Sequence, residues 1–377
     1  MIKKVILGAM ALTMGMYVQA QNVSNVSQAG NGNSGGATQT GGNHTSDIIV
    51  VGDNNETNVT QDDTDQTSLI NAAGNDNTVD VTQVATGNNN RAEVDVIGNE
   101  NTVRLDQLGS SNNNPAAQYG VDIYGNRNDV WLEQNGNNNE GYIKIGDAGG
   151  IGNANGNYAE IRQHKPGGDS NLATVTVTGN NNKAVVDQDG SFDITDINQS
   201  GNGNDARSEQ RSMTNTEQSY IDQSGNDNTA DVLQDGVNSI SNVDQSGNDN
   251  IAEVLQTGTN EESVIDQVGN DNILAKVTQS GDRNDSYIIQ GGDGNSATVD
   301  QSGSRGDSDI NQSGDGNTAE ATQAGNRADS DIVQDGDGNM ATVDQAGNRN
   351  RSNITQGGNS NTAMVTQTAG NSDRSLI

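Results

Sequence analysis

The chain has 377 residues, of which 29% are hydrophobic and 2% aromatic, and its formal net charge is −33 with only 18 Lys and Arg. A globular domain is usually close to half apolar, so only disorder or a thin, repeated apolar layer is open to this chain. The charge opposes binding to nucleic acid and to anionic membranes. The absence of cysteine excludes disulfides, thiolate catalysis and Cys-based metal sites.

The N-terminal segment, which ends at Ala20, has the pattern of a secretory signal peptide. Lys3 and Lys4 precede a mostly apolar run over 5–18, and Val-Gln-Ala at 18–20 fits cleavage before Gln21. The run is too short for a membrane-spanning helix, and no other stretch approaches the roughly 20 apolar residues that one needs. We therefore predict secretion, without membrane insertion, of residues 21–377.

The first half of the remaining chain carries an irregular internal repeat. A position that is most often Gln returns at every eleventh residue, and the steps lengthen where insertions fall near 110–121, 146–158 and 164–173. The repeating positions are Gln28, Gln39, Val50, Gln61, Ala72, Gln83, Val96, Gln107, Ile123, Gln134, Ile145, Gln163, Val177, Gln188, Gln199 and Gln210.

The second half repeats regularly, with the consensus Q-x-G-x-x-N-x-[A/S]-x-[V/I]-x from Gln223 to Gln367. The small residue alternates between Ala, as at Ala252, and Ser, as at Ser263. The true repeat is therefore a pair of 11-residue arms, about 22 residues long, which lies in the range of known solenoid repeats. We count about 15 such repeats. They predict one array over 21–377, irregular to about residue 187 and regular over 188–367.

The spacing within an arm predicts its conformation. Asn, the small residue, the Val or Ile and the next Gln are two residues apart, which places them on one face of a strand. The Gly and Asn/Asp tetrad after each Gln is typical of a turn. Each arm is therefore predicted to be a strand and a turn, and the fold to be an all-β, flat two-sheet β-solenoid of about 15 strand-turn-strand repeats.

Buried amides need partners, and a solenoid places the same residue about 4.8 Å above and below, where amides can bond in ladders. The predicted structural ladder consists of Gln223, Asn228, Gln234, Gln245, Asn250, Gln256, Gln267, Asn272, Gln279, Asn284, Gln290, Asn295, Gln301, Gln312, Asn317, Gln323, Gln334, Asn339, Gln345, Asn350, Gln356, Asn361 and Gln367. The predicted turn glycines are Gly225, Gly247, Gly269, Gly292, Gly314, Gly336 and Gly358.

The charged residues are expected on the outside. In the regular half, Arg283, Arg305, Arg327 and Arg349 recur every 22 residues, with Asp two places after the first three, and such columns offset each other's repulsion modestly. The many carboxylates are interpreted as a solvated surface.

A solenoid ends in two open β edges, and a monomer usually blocks them with a distinct cap. No cap is recognisable in residues 368–377. Head-to-tail contacts of this kind do not close, so we predict a filament of the chain with itself.

The unit Q-x-G-x-x-N-x-A-x-V-x-Q resembles the curlin repeat of curli fibre subunits over residues 28–367. The resemblance implies a major subunit of an extracellular bacterial amyloid fibre for biofilm matrix and surface adhesion. It also implies a nucleator subunit and an outer-membrane export pore as partners, and no cofactor. This chain departs from typical curlins in having about three times as many repeats and, before the first repeat, only residues 21–27.

Other functions fit the sequence less well. The histidines, His44 and His164, are far apart and form no nucleophile–base pattern, so no catalytic residue is assigned and an enzyme is not predicted. A calcium-binding β-roll would use the Gly-Asp-Gly-Asn tetrads at 292–295, 314–317 and 336–339, but β-rolls repeat a nine-residue unit, so no metal site is assigned. A monomeric β-solenoid adhesin or ice-binding protein is the remaining alternative.

Overall fold

The computed structural model describes residues 3–5, 21–84, 88–113, 120–147, 154–164, 169–212, 216–368 and 372–377. Every helix or strand assigned in this part of the chain is a β-strand, and none of it forms a helix long and apolar enough to cross a membrane. The predicted signal peptide, apart from residues 3–5, and the central parts of the three insertions lie outside the described residues. The chain divides into two compact units, residues 1–192 and 193–377.

The first unit contains two sheets. Its strands are β1 Lys3–Val5, β2 Val23–Ala29, β3 Ser34–Gly42, β4 Thr45–Val51, β5 Glu56–Thr64, β6 Thr67–Ala73, β7 Thr78–Gln83, β8 Arg91–Ile97, β9 Thr102–Gln107, β10 Gly120–Asn126, β11 Asp129–Gln134, β12 Glu140–Ile145, β13 Ala154–Asn155, β14 Tyr158–Gln163, β15 Leu172–Asn180 and β16 Lys183–Gln188. The first sheet joins β2, β4, β6, β8, β10, β12 and β15 in parallel, with β13 beside β10 and β1 antiparallel to β2. The second sheet joins β3, β5, β7, β9, β11, β14 and β16 in parallel.

The second unit repeats this arrangement more regularly. Its strands are β17 Ile194–Asn202, β18 Asp205–Gln210, β19 Gln218–Asn226, β20 Thr229–Gln234, β21 Ile240–Asn248, β22 Ile251–Gln256, β23 Glu262–Asn270, β24 Leu274–Gln279, β25 Asp285–Gly291, β26 Ser296–Gln301, β27 Asp307–Gln312, β28 Thr318–Gln323, β29 Asp329–Asp335, β30 Met340–Gln345, β31 Arg351–Gly357, β32 Thr362–Gln367 and β33 Arg374–Leu376. The odd-numbered strands form its first sheet and the even-numbered strands its second, all in parallel.

Successive turns of each solenoid place equivalent residues side by side. In the second unit Gln245 pairs with Gln267 and Ser241 with Ser263, one repeat later. A step that is longer by one residue, from Ala252 to Ala275, is taken up in the turn, so the strands stay in register. The all-β, two-sheet solenoid of about 15 turns, each of about 22 residues as in other short-repeat solenoids, is confirmed.

The insertions of the first unit leave the register intact. Gln107 pairs with Gln134 and Gln134 with Gln163, although 27 and 29 residues separate them. The extra residues therefore lie between strands, and the buried positions still coincide from turn to turn.

A thin apolar layer fills the space between the sheets, as the alternation predicts. Ala230, Val232, Ala252 and Val254 are buried, and their neighbours along the strand point outward. The turns approach one another closely: a Cβ built on Gly247, whose φ is +114°, would lie 1.8 Å from the carbonyl oxygen of Gly269. Only glycine fits there, which explains why this residue type recurs at the turn.

Candidate functional site: the buried ladders and the open edges

The glutamines of the second sheet form an unbroken amide ladder within the second unit. Gln256 Nε2 donates to Gln279 Oε1 at 2.9 Å, and Gln279 Nε2 donates to Gln301 Oε1 at 2.9 Å. The same Nε2 atoms also donate to backbone carbonyls of the opposite arm, for example Gln256 to Ile240 at 3.0 Å. Each glutamine thus links two turns and both sheets, and its buried amide is satisfied.

The first sheet uses the equivalent position differently in the two units. In the second unit it carries a glutamine ladder, in which Gln245 Nε2 donates to Gln267 Oε1 at 2.8 Å. In the first unit the first turn carries Gln28, beside Val50, and from the second turn on the position is apolar and buried at Val50, Ala72, Val96, Ile123, Ile145 and Val177. Both versions are compatible with burial, because side chains of one kind stack over many turns. Amides hydrogen-bond to amides, and aliphatic groups pack against aliphatic groups.

The asparagines of the second sheet form a second ladder, at the opposite end of the interior. Asn272 donates from both its backbone N–H and Nδ2 to Asn250 Oδ1, at 3.2 and 2.9 Å. Asn250 Nδ2 in turn donates to the turn carbonyl of Gly269 at 3.0 Å. The asparagines therefore tie each turn of the chain to the turns before and after it.

The structure places the sequence-predicted residues as follows. All the glutamines of the predicted set are buried at exposures of 6% or less, and so are Asn228, Asn250, Asn272, Asn295, Asn317 and Asn339. Asn361 bonds to Asn339 Oδ1 through its backbone N–H and Nδ2 at 2.9 and 3.1 Å but is exposed on its outer side. Asn284 and Asn350 are buried but belong to a different column, where they do not stack on amides.

That column, the mixed column, is the first-sheet equivalent of the asparagine ladder. In the second unit it consists of Asp193, Glu217, Ser239, Glu261, Asn284, Gly306, Ala328 and Asn350. Its side chains bond mainly to backbone: Asn284 Nδ2 donates to Gly303 O at 3.1 Å, and Asn284 Oδ1 accepts from Gly306 N at 2.9 Å. No side-chain ladder runs along it.

Three carboxyl groups of the mixed column lie in the interior, which corrects the interpretation of the carboxylates as a solvated surface. Asp193, Glu217 and Glu261 are exposed by 0%, 0% and 1%. Asp193 Oδ1 accepts from Glu217 N at 3.1 Å, and Glu217 Oε1 accepts from Gly236 N at 3.0 Å. The sequence did carry the signal, because Glu217 and Glu261 are six residues before Gln223 and Gln267 and so share their inward face.

Burial changes the ionisation of these groups. Loss of hydration, reinforced by the charges of Asp193 and Asp235, raises the pKa of Glu217 to about 9. Burial likewise raises the pKa of Glu261 to about 7, against N–H donors from Gly258 and Gly281 that favour the charged form. The interior therefore favours neutral carboxyl groups at both positions.

The described part of the chain contains no group of three His, Cys, Asp or Glu side chains placed to hold a metal ion. His44 is buried, and its Nε2 lies 2.8 Å from Thr40 O. The Gly-Asp-Gly-Asn segments form turns in which Asp315 Oδ1 accepts from Asp293 N at 2.9 Å, so the Asp carboxylate is engaged with the preceding turn.

The outer edge of the first turn presents ladder groups without described partners. Gln39 Nε2 donates to Gln61 Oε1 at 2.8 Å, and Asn33 Oδ1 accepts from Asn55 N at 2.9 Å. Among the described residues, nothing donates to Gln39 Oε1, and the backbone N–H of Asn33 has no acceptor. This edge thus offers one acceptor and one donor at the ends of two ladders.

The last turn presents the reciprocal groups. Asn361 Oδ1 accepts no hydrogen bond from a described residue, and no described strand pairs with the outer side of β32. Gln367 Nε2, which has no following glutamine in the described chain, donates to Arg351 O and Ser375 Oγ at 3.3 and 3.2 Å.

Residues near the end of the chain cover part of the other edge, which corrects the expectation that 368–377 contain no cap. β33 pairs in parallel with β31, with Ser375 beside Ser352. Ile377 adds two backbone hydrogen bonds, donating to Asn353 O at 3.0 Å and accepting from Thr355 N at 2.9 Å. The first sheet is thus partly covered beyond β31, whereas β32 is open.

Column homogeneity generates a first prediction. Gln301→Val leaves the donor of Gln279, the acceptor of Gln323 and the carbonyl of Asp285 without their bonds, at a cost of roughly 1–3 kcal/mol for each buried group. Val96→Gln places an amide between Ala72 and Ile123 and should destabilise for the same reason. Urea unfolding of residues 21–377 measures both, with Ser302→Val on the exposed surface as control. If Gln301→Val left the free energy of unfolding unchanged, this would contradict a stabilising role for the ladder.

The buried carboxyls generate a second prediction. Because their pKa is raised above the ordinary 4.5, stability is full below about pH 4.5 and is lost as pH rises through about 7 and then about 9. Glu217→Gln with Glu261→Gln should therefore raise the urea midpoint at pH 8 and flatten its dependence on pH. The exposed Glu320→Gln is the control, and an equal pH slope in all three proteins would refute the assignment.

The repeat is similar to one found in a known protein family. The family model described as curlin associated repeat matches residues 154–190, 195–236, 271–303, 329–358 and 336–368. A search of curated proteins found no match. The matched segments contain part of the Gln and Asn columns and four of the predicted turn glycines, Gly225, Gly292, Gly336 and Gly358. The chain belongs to the curlin-repeat family.

Proposed function

We propose that this chain is a secreted subunit that stacks head to tail through its open β edges into an extracellular curli-type amyloid fibre. The family and the β-solenoid fold fit a curli-type structural subunit and indicate a structural protein rather than a known enzyme class. The fibre would serve in biofilm matrix and surface adhesion, as curli do. By the same analogy, a nucleator subunit starts assembly and an outer-membrane pore exports the chain.

The complementary ladder ends carry the proposal. The first turn offers the acceptor Gln39 Oε1 and the donor Asn33 N–H, and the last turn offers Gln367 Nε2 and the acceptor Asn361 Oδ1. When β3 of one copy lies on β32 of another, the glutamine ladder continues from Gln367 to Gln39. The asparagine ladder continues from Asn33 to Asn361. Every bond has the direction that it has inside the chain, so the filament is polar.

The edges also explain why the contact repeats. Open strand edges present rows of unpaired N–H and C=O groups, and a parallel strand of the same sequence pattern satisfies them. The surfaces at the two ends differ, so the contact is heterologous and leaves a free edge after each addition.

Electron microscopy and fibre diffraction test the proposed function. Residues 21–377 are diluted from denaturant and followed for a day, and unbranched fibres with a meridional reflection at about 4.7–4.8 Å are expected. Gln39→Leu, which removes the acceptor at one end of the ladder, should slow elongation more than Thr38→Leu in the same strand. Persistent β-rich monomers would overturn the proposal and favour a monomeric β-solenoid adhesin.

The cover over β31 generates a further prediction. β33 occupies a place that the incoming copy's first sheet needs, so stacking requires that this strand leave. Deleting residues 372–377 should therefore shorten the lag before fibres appear, as followed by a dye that reports cross-β structure. Leu376→Lys changes an exposed side chain while retaining the backbone bonds, and should leave the lag unchanged. A longer lag after the deletion would mean that β33 is part of the stacking surface.

A further inference from the structure

Four arginines form a column along one turn of the second unit. Arg283, Arg305, Arg327 and Arg349 are exposed and share a positive φ of 57–58°. Arg283 lies 3.7 Å from Asp282, but Arg305, Arg327 and Arg349 form no ion pair with any described residue. The chain has only 18 basic residues against 51 acidic ones. Three neighbouring arginines without an ion-pair partner are therefore unexpected.

These three arginines line an open groove of about 520 Å³ together with Asp282, Ser304, Asn326 and Asn348. Its floor is ordered by the turns themselves, since Ser304 N donates to Asn326 Oδ1 and Asn326 N to Asn348 Oδ1, at 3.1 and 3.0 Å. The turns that carry the arginines therefore repeat at the strand spacing, about 4.8 Å. Like charges so close repel one another, and an anionic partner with the same spacing would relieve that repulsion. We call this surface the arginine groove.

An acidic patch with that spacing lies on the outward face of the first sheet. It consists of Asp285, Asp307 and Asp329, which pair in register across β25, β27 and β29, and of Asp309 and Asp331 beside them. Asp329 lies 3.3 Å from Arg351, while the other four form no ion pair with a described residue. Burial, together with the charges of Asp307 and Asp331, raises the pKa of Asp309 to about 6. The carboxylates thus also repel one another.

The groove and the patch do not neutralise each other within one molecule. Arg305 and Arg327 precede Asp307 and Asp329 by two residues, yet no ion pair joins them, and neither arginine contributes to the shifted pKa of Asp307 or Asp309. The sequence-based expectation that the two columns offset each other is therefore not met by direct pairing. The groove lies at the turn, whereas the patch lies on the sheet face.

We propose that the arginine groove of one copy binds the acidic patch of another copy lying alongside it, and that this contact bundles fibres laterally. The inference rests on the proposed function, because a single exposed ion pair contributes little. Two monomers would therefore not associate, but many pairs along two polymers would act together. Any two parallel copies share one axial spacing, so every arginine can meet a carboxylate in register. The second copy is favoured over a foreign polyanion because the chain itself supplies this matched array.

The contact joins two different surfaces, so it is heterologous and each fibre keeps a free groove and a free patch. Bundles should grow without a fixed number of fibres. They should form at about 0.1 M ionic strength and separate at about 1 M, where the Debye length falls from about 10 to about 3 Å.

The experiment compares fibres of residues 21–377 by electron microscopy and by the mass that sediments at low speed. Arg305→Gln with Arg327→Gln and Arg349→Gln should give single fibres, and the three Arg→Lys changes should retain bundles at low salt. Asp307→Asn with Asp309→Asn and Asp331→Asn should also abolish bundling. Net charge alone predicts the reverse for this last variant, because it makes the chain less negative.

The matched control is Asp293→Asn with Asp315→Asn and Asp337→Asn, which removes the same charge from a turn column outside the patch and should leave bundles intact. Mixing the Arg→Gln fibres with the Asp→Asn fibres, each single on its own, should restore bundles, because each supplies the surface that the other lacks.

Two results would overturn only the lateral contact: wild-type fibres that stay single at low salt, or Asp→Asn fibres that bundle as the wild type does. Single wild-type fibres that bind poly-glutamate through the three arginines would instead assign the groove to a foreign polyanion. Absence of wild-type fibres would overturn the proposed function itself, and the lateral contact with it.

Discussion

The structure depends on one constraint: an amide buried between the two sheets must find its partner in the neighbouring turn. Gln256 is fully buried, and it bonds to Gln234 on one side and Gln279 on the other. Leaving such a group unpaired would cost more than the bond itself contributes. The same residue must therefore recur at the same place, and a chain with 29% hydrophobic residues can close its interior because part of that interior is a hydrogen-bonded lattice.

Columns, rather than individual residues, are consequently the units of this fold. After Gln28 in the first turn, the first-sheet column is aliphatic in the first unit and amide in the second, so like side chains meet over many consecutive turns. The mixed column differs because its side chains bond chiefly to turn backbone, which accepts and donates in many ways. That freedom admits Ser239, Asn284 and Ala328, and it also admits the carboxyl groups of Glu217 and Glu261, at the cost of keeping them neutral.

The constraint that closes the interior also applies at its ends. The ladders have a direction, and their terminal atoms face outward at Gln39 and Asn361 with the requirements that the next turn would meet. We propose that another copy meets them, which would make polymerisation a continuation of folding. β33 occupies part of the same surface. A few backbone hydrogen bonds therefore decide whether β31 is covered by β33 or pairs with another copy. Charge acts on a different surface, where the arginine groove and the acidic patch are each incomplete alone.

The sequence by itself determined the strand class, the inward face and the repeat length, because a period of two within an arm and a fixed period between repeats leave one arrangement that buries Gln, Asn, Ala and Val together. It also placed the turn glycines, since only glycine permits the approach seen between Gly247 and Gly269. The tertiary structure decided what depends on neighbours in space. The carboxyls of Glu217 and Glu261 were hidden among many outward acids until the column that they share was assembled. Asn284 and Asn350 matched the ladder by residue type, but the opposite corner gave them backbone partners. β33 repeats the Arg-Ser pair of β31, since Arg374 and Ser375 lie beside Arg351 and Ser352, but only the free edge of β31 gives these residues a strand to pair with.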